Sequence, residues 1–129
     1  MNDKDFAAQQ RRIMPLVKKW KLRLGLNLWD IDSEFYRGPF EREGEWFTGA
    51  MAVVRWEYMD ATLMFDLVSV TDLSDADVEK MVVHELMHVI LKELQHTTDD
   101  FMKHEERVAT MLAQAFVFLA AEKVRICAS

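Results

Sequence analysis

The amino-acid sequence predicts an α+β fold: an N-terminal helix, a small twisted antiparallel sheet of about three strands, and two further helices. Apolar residues recur at helical spacing near both ends of the chain, and β-branched and aromatic residues dominate the stretch between residues 26 and 58. The chain has 129 residues, of which 50% are hydrophobic, and its one cysteine has no partner within the chain. We therefore expect a single domain over 1–129 whose core needs no disulfide.

The distribution of charged and apolar residues indicates which partners and which cellular compartment to expect. The net charge is −6, but residues 1–24 carry +5 and the remainder −11. An acidic body argues against nucleic acid as the main partner, so we interpret the basic segment as a helix lying over that body. No apolar run is long enough to span a membrane, and the polar start lacks the apolar region of a secretory signal. The expected setting is cytoplasmic, without a membrane partner.

The first predicted element is an amphipathic helix over residues 3–24. Its apolar face consists of Ile13, Leu16, Val17, Trp20 and Leu24. Pro15 should either kink this helix or mark its first turn. Gly25 should end it.

The next segment reads as three strands, near residues 27–36, 50–58 and 61–69. Residues 57–60 should turn the last two strands into a hairpin. The tryptophans of this region are expected to face the core or the sheet: Trp29, Trp46 and Trp56.

Two helices complete the prediction. Ser74 and Asp77 have the spacing of a capping box, which predicts a helix over 75–95. Its middle is apolar on every side except at three residues, so this helix should be buried and its polar side chains should have partners. A polar loop at 95–100 should lead to a last helix over 101–126.

The three polar residues of the buried helix form the motif H-E-x-x-H at His84, Glu85 and His88. Histidines four apart project from one helix face, one turn apart, where both can bind one zinc ion. Glu85 stands beside them and can take a proton from water at the metal without being a ligand. The motif therefore predicts zinc-dependent addition of water to a carbonyl, with Glu85 as the catalytic base.

A catalytic zinc needs a third protein ligand and an open fourth position. The metzincin pattern fails, because Leu91 and Leu94 stand where its Gly and His would be. His96 falls near the helix end, in the predicted loop. His104, Glu105 and Glu106 remain as candidates.

We assign Glu106 as the third ligand and keep Glu105 and His104 as alternatives. Ala109 and Ala113 follow Glu106 at three and seven positions, and such small residues let the last helix approach the histidine helix closely. Thr110, one turn after Glu106, can hydrogen-bond a ligand histidine from outside the metal shell. Glu105 lies nearer the middle of the apolar stripe of this helix, which argues in its favour.

The motif followed by Glu106-Arg107-Val108-Ala109-Thr110 resembles the small gluzincin-type metallopeptidases called minigluzincins, including the ImmA/IrrE-like and phage-encoded zinc peptidases. The resemblance covers about residues 61–117. It implies a zincin-like domain with zinc between the last two helices and a peptide or protein substrate. Thr110 stands where those families carry Asn, which affects the contacts around the ligands rather than the ligand set.

Three functions are compatible with these residues. The first is a zinc-dependent peptidase; the second is a non-cleaving regulatory or binding module that keeps a zinc ion; the third is a metal-free binding domain. Glu85 favours the enzyme, because a structural zinc site has no use for a carboxylate beside the metal that is not a ligand. In a peptidase, an exposed edge at 61–67 would pair with the substrate backbone. The candidates for stabilising the transition state are Tyr36, Tyr58 and His104.

Overall fold

The computed structural model describes residues 1–92 and 99–128, and within these the side chains of 1–92, 105, 106 and 108–123. The described part of the chain has an α+β architecture. Its elements, in order, are α1 (Asp3–Arg23), β1 (Asp30–Tyr36), β2 (Phe40–Arg42), β3 (Glu45–Phe47), β4 (Ala50–Arg55), β5 (Asp60–Asp66), α2 (Leu67–Thr71), α3 (Asp75–Leu91) and α4 (Asp99–Ala128). A 3-10 turn over Trp56–Tyr58 joins β4 to β5.

The first helix agrees with its prediction to within one residue. Asn2 caps it, accepting a hydrogen bond of 2.8 Å from the backbone N–H of Asp5, so Pro15 lies inside the helix and does not mark its first turn. The helix ends at Arg23, and Gly25 follows with a φ of +73°. Glycine adopts that left-handed conformation without the strain that a Cβ would cause.

The main sheet has the strand order β1-β5-β4 and is mixed. β4 pairs antiparallel with β5 through the expected hairpin, but β1 pairs with β5 in parallel, so the prediction of an antiparallel sheet is wrong for this pair. β5 lies between β4 and β1 and is the central strand. Leu63 and Phe65 of β5 are fully buried, as suits a central strand.

This strand order also corrects the predicted substrate edge. The segment 61–67 belongs almost entirely to β5, which is paired on both sides and has no free edge. Within this sheet the outer strands are β1 and β4. An extended peptide can therefore add to the sheet only beside one of those two strands.

The predicted strand over 61–69 ends three residues early. Asp66 caps a short helix instead, because its carboxylate accepts hydrogen bonds from the backbone N–H groups of Val68 and Ser69. Leu67 and Val70 of this helix, α2, are fully buried. An apolar run cannot by itself distinguish a buried strand from such a short helix.

The expectation for the tryptophans holds at one of three positions. Trp29 packs against the core, whereas Trp46 is 69% exposed and Trp56 is 44% exposed. Trp46 lies on β3, which pairs only with β2 in a separate two-stranded sheet. That small sheet packs Phe40 against Phe47 and leaves Trp46 in solvent.

The last two helices form where the sequence places them. Ser74 caps α3 by accepting a hydrogen bond of 3.2 Å from the N–H of Asp77, which confirms the predicted start. The helix runs to Leu91 with Lys92 as its C-cap, and the remaining predicted residues, 93–95, lie outside the described residues. α4 begins at Asp99 and ends at Ala128, two residues beyond its prediction at each end.

The core lies between α1, the three-stranded sheet, α3 and α4. Ion pairs tie the basic α1 to α3: Arg12 to Asp75 at 3.0 Å and Lys19 to Glu79 at 2.8 Å, as expected for a basic helix over an acidic body. Ala109 and Ala113 of α4 are almost completely buried. In the described residues, no helix combines the length and hydropathy needed to cross a membrane.

Candidate metal centre

The two histidines of the motif face each other on α3. Their Nε2 atoms lie 3.1 Å apart, and their side chains are only 18% and 19% exposed. The four-residue spacing places them one turn apart on the same side of the helix. The helix is held against the core by Val82, Val83, Leu86 and Met87, so this side can face only α4 and β4.

Glu106 of α4 completes the group. One of its carboxylate oxygens lies 2.7 Å from His84 Nε2 and the other 2.9 Å from His88 Nε2. Three such ligand atoms, one from each residue, lie within 4.8 Å of one another. The structure thus brings His84, His88 and Glu106 together as the sequence predicts, and Glu106 is the glutamate that faces both Nε2 atoms.

Glu105, the alternative ligand, takes a different place. Its carboxylate lies 3.2 Å from His88 Nδ1, the ring nitrogen that points away from His84 and Glu106, and its side chain is 7% exposed. Nδ1 of His88 can donate a hydrogen bond to this carboxylate. In the neutral ring that tautomer leaves Nε2 unprotonated, as a metal ligand must be.

Thr110 makes the corresponding contact to His84, at the position expected from the sequence. Its hydroxyl donates to the backbone carbonyl of Glu106 at 3.0 Å and lies 3.2 Å from His84 Nδ1. A neutral His84 ring can therefore donate its Nδ1 proton to the hydroxyl oxygen, as His88 can to Glu105, and this tautomer leaves Nε2 of both rings free to bind a metal.

These donors fit a small divalent cation. Two ligands 2.0–2.1 Å from a tetrahedral ion are separated by about 3.4 Å. The contacts of 2.7, 2.9 and 3.1 Å observed here are shorter than that, and one ligand atom from each residue lies within 4.8 Å of the others. Unprotonated imidazole nitrogens and a carboxylate that converge on one point repel each other unless a positive charge, a proton or a metal ion, lies between them. Two nitrogens and one oxygen form a donor set typical of zinc.

Burial shifts the pKa values of two groups at the site, His84 and Glu85. It lowers the pKa of His84, against an opposing effect of the Glu106 carboxylate, and so favours the neutral ring. Burial also raises the pKa of the Glu85 carboxyl to about 7, with His88 opposing and Glu106 adding to this effect. Glu85 is 6% exposed and makes no hydrogen bond to another described side chain.

An open cleft runs past these residues, between α3 and β4. One half has a volume of about 290 Å³ and is lined by the histidines, Glu106, Lys92 and four residues of β4, namely Ala50, Met51, Ala52 and Val54. The other half, about 340 Å³, continues past Thr110 to Lys80. Ala50, His84 and Glu85 line both halves, whereas His88 and Glu106 line only the first, so the candidate metal centre lies in the first half, beside its boundary with the second.

The predicted transition-state residues do not line this cleft where their side chains are described. Tyr36 donates a hydrogen bond of 2.6 Å to Glu34 and stacks on Phe40. Tyr58 is 70% exposed and lies under Arg55. The side chain of His104 and the whole of His96 lie outside the described residues.

Sequence reasoning missed two features of the site. The first is β4, several of whose residues line the cleft. That β4 is an outer strand depends on the strand order of the sheet. The second is Lys92, which lines the cleft one turn beyond His88. The spacing of four residues from His84 to His88 and from His88 to Lys92 is visible in the sequence. It places the three residues on one helix face and could have indicated that Lys92 lies near the histidines.

Comparison with known proteins adds no assignment. No protein-family model matches the chain, and no curated protein matches it.

Proposed function

We propose that this protein is a zinc-dependent peptidase in which His84, His88 and Glu106 hold the metal and Glu85 is the general base. The observation that carries the proposal is the convergence of His84 Nε2, His88 Nε2 and the Glu106 carboxylate in an open cleft. Glu105 and Thr110 lie beside the two Nδ1 atoms, so each ring has an acceptor for a proton on Nδ1 while its Nε2 binds a metal.

The number of protein ligands favours a catalytic centre. Structural zinc sites are closed by four protein ligands, whereas catalytic sites use three and keep one position for water or substrate. Among the described residues three side chains form the group, and Glu106 is 60% exposed on the cleft side. Zinc bound there would polarise a substrate carbonyl and lower the pKa of a coordinated water molecule.

Glu85 supplies the remaining chemistry. Its carboxylate lines both halves of the cleft beside His84 and is free of structural hydrogen bonds among the described side chains. In the proposed mechanism it takes the proton of the attacking water and then delivers a proton to the leaving amine. Its burial excludes most of the solvent that would otherwise weaken its interaction with the reacting groups.

The substrate in this proposal is an extended peptide lying along β4. The backbone of Ala50–Arg55 has one edge paired with β5, and residues of this strand line the cleft. Hydrogen bonds from the other edge would hold a peptide backbone without regard to sequence. Because the cleft continues on both sides of His84, the peptide can extend beyond the scissile bond in both directions.

Metal content and hydrolysis test the proposal together. The purified protein should contain about one zinc per chain by mass spectrometry of the metal, and the zinc-loaded protein should cleave an unstructured protein such as reduced casein. Glu85→Gln should retain zinc and lose cleavage by at least roughly a hundredfold. Zinc binding without any cleavage would instead support the non-cleaving module. Failure to bind zinc after reconstitution would reject both functions.

A further inference from the structure

The two halves of the cleft differ in charge. In the half of about 290 Å³, Lys92 is the one basic residue among the described lining residues; the acidic ones are Glu85, Glu105 and Glu106. In the other half Lys80 is accompanied by Asp77, three positions earlier on the same helix. Each half thus contains one lysine: Lys80 has an acidic neighbour on its own helix, whereas the three carboxylates beside Lys92 belong to the candidate metal centre or adjoin it.

Lys92 has no recorded partner in the part of the chain that the structure describes. Glu105 and Glu106 line the same half of the cleft, yet they pair with His88 and His84 and not with the Lys92 ammonium group. A lysine ammonium group has three donors on a flexible four-carbon chain, which suits it to bind a carboxylate as a point charge. Its position in the cleft leaves it available to a ligand there.

The distance from the metal group fits a peptide substrate. Lys92 follows His88 by one helical turn, which corresponds to about 5.4 Å along the axis. An extended peptide advances about 3.3 Å per residue. A carboxylate bound by Lys92 would therefore belong to a residue within about two positions of the carbonyl held at the metal centre.

We propose that Lys92 binds a carboxylate of the substrate and so gives this site a preference for acidic peptides on one side of the scissile bond. The inference rests on the proposed peptidase function and names its substrate class. The carboxylate has two sources, an Asp or Glu side chain or the C-terminus of the peptide. Both present the same group to the ammonium, and they are separated by the test below.

Because Lys92 lies at the end of α3, it can also stabilise the fold, and the test must separate this effect from substrate binding. A cation at a helix C-terminus interacts favourably with the helix dipole, and this interaction stabilises the fold whether or not substrate is present. Thermal unfolding reports the dipole interaction, whereas peptide affinity reports the contact with substrate.

The test measures binding without turnover. Zinc-loaded Glu85→Gln protein is titrated with fluorescent eight-residue peptides, blocked at both ends, in which a single Glu or Gln is moved through every position. At one position or more, Glu should bind about tenfold more tightly than Gln, as expected for one charge-assisted contact. Adding Lys92→Met should abolish this difference, and Lys92→Glu should reverse it.

A matched control and a second set of peptides complete the design. Lys18 is an exposed lysine of α1, so adding Lys18→Met makes the same change in net charge away from the cleft and should preserve the preference. In the second set, Gln peptides with a free C-terminus are compared with their amides. A gain of about tenfold for the free acid that disappears with Lys92→Met would assign the C-terminal carboxylate.

The outcomes separate this inference from the function on which it rests. Equal affinity for all peptides, no peptide binding, or a preference that survives Lys92→Met would overturn the role of Lys92, even if the wild-type protein hydrolyses peptides. A preference that depends on Lys92, in a protein that cleaves none of the peptides it binds, would support the carboxylate site and reject the peptidase.

Discussion

The carboxylate of Glu105 lies 3.2 Å from Nδ1 of His88 and is almost fully buried, while its neighbour Glu106 faces Nε2 of the same ring. Two consecutive glutamates thus contact the two nitrogens of one histidine. Glu106 is placed to bind the metal directly, and Glu105 is placed to fix the tautomer and orientation of the ring. This division of roles makes the effects of replacing each residue different.

Glu106→Ala should weaken zinc binding by roughly a hundredfold or more, whereas Glu105→Ala should weaken it by about tenfold, within the range for groups that orient a ligand. The reason is that Glu106→Ala removes a metal ligand, whereas Glu105→Ala only removes the contact that orients the His88 ring. Competition with a fluorescent zinc chelator measures both affinities. If Glu105→Ala had the larger effect, Glu105 would be the ligand and our assignment would be wrong.

Thr110→Val should lower zinc affinity by about tenfold with little change in folding stability, because it removes the hydroxyl that orients His84 and keeps the side-chain shape. Thr110→Ser retains the hydroxyl and should bind zinc as the wild type does. Thr71→Val is a matched control, since Thr71 also donates to a carbonyl one turn earlier, in α2, away from the site. Equal zinc affinity in Thr110→Val and wild type would remove Thr110 from the centre.

Glu85 should make the metal-free protein less stable as pH rises. Its pKa is raised from 4.5 to about 7 by burial, so the folded state keeps a proton that the unfolded chain has lost. The resulting stabilisation is complete below pH 4.5 and is lost as pH rises through about 7. Between pH 5 and pH 8 the wild type should lose about 2 kcal/mol more than Glu85→Gln, whose side chain is neutral throughout.

This difference is measured by urea unfolding of both proteins at the two pH values with a chelator present. Comparing the two proteins cancels the titration of the groups that they share. His88 and Glu106 interact with Glu85 and act in opposite directions on its pKa, and burial is the largest cause of its raised value. Parallel pH profiles of the two proteins would show that folding does not raise the pKa of Glu85.

Ala109→Leu should destabilise the fold by about 1–3 kcal/mol and also weaken zinc binding. Ala109 is fully buried on α4, between the turns that carry Glu105 and Glu106 and the turn that carries Ala113, and a larger side chain there forces α4 away from its neighbours. Ala115→Leu is the matched control, because Ala115 is exposed on the same helix. Thermal unfolding and chelator competition should show both losses for Ala109→Leu and neither for the control.

The sequence alone predicts those features of the site that lie within a single helix. The spacing of His84 and His88 determines that their rings share a face, because helix geometry depends only on residues a turn apart. The same holds for the cap at Ser74 and for the end of α1 at Gly25. Spacing within α4 also placed Thr110 one turn from Glu106, where it reaches His84.

Contacts between elements depend on the tertiary structure. Glu105 and Glu106 differ by 100° around α4, and only the rotation of that helix against α3 decides which of them faces the Nε2 atoms. Similarly, the apolar pattern of 61–69 does not reveal that β5 is central, that β1 runs parallel to it, or that β4 is an outer strand. Pairing between distant strands depends on which surfaces the whole chain buries.

The sequence alone therefore determined the chemistry available to this protein: two imidazoles and a carboxylate within one helical turn, with two further glutamates on the last helix. The tertiary structure decided which glutamate meets the imidazoles, which strand borders the cleft and that Lys92 lies within it. The physical reason is that side-chain direction along one helix follows from short-range geometry, whereas the meeting of separate elements follows from the packing of the whole core.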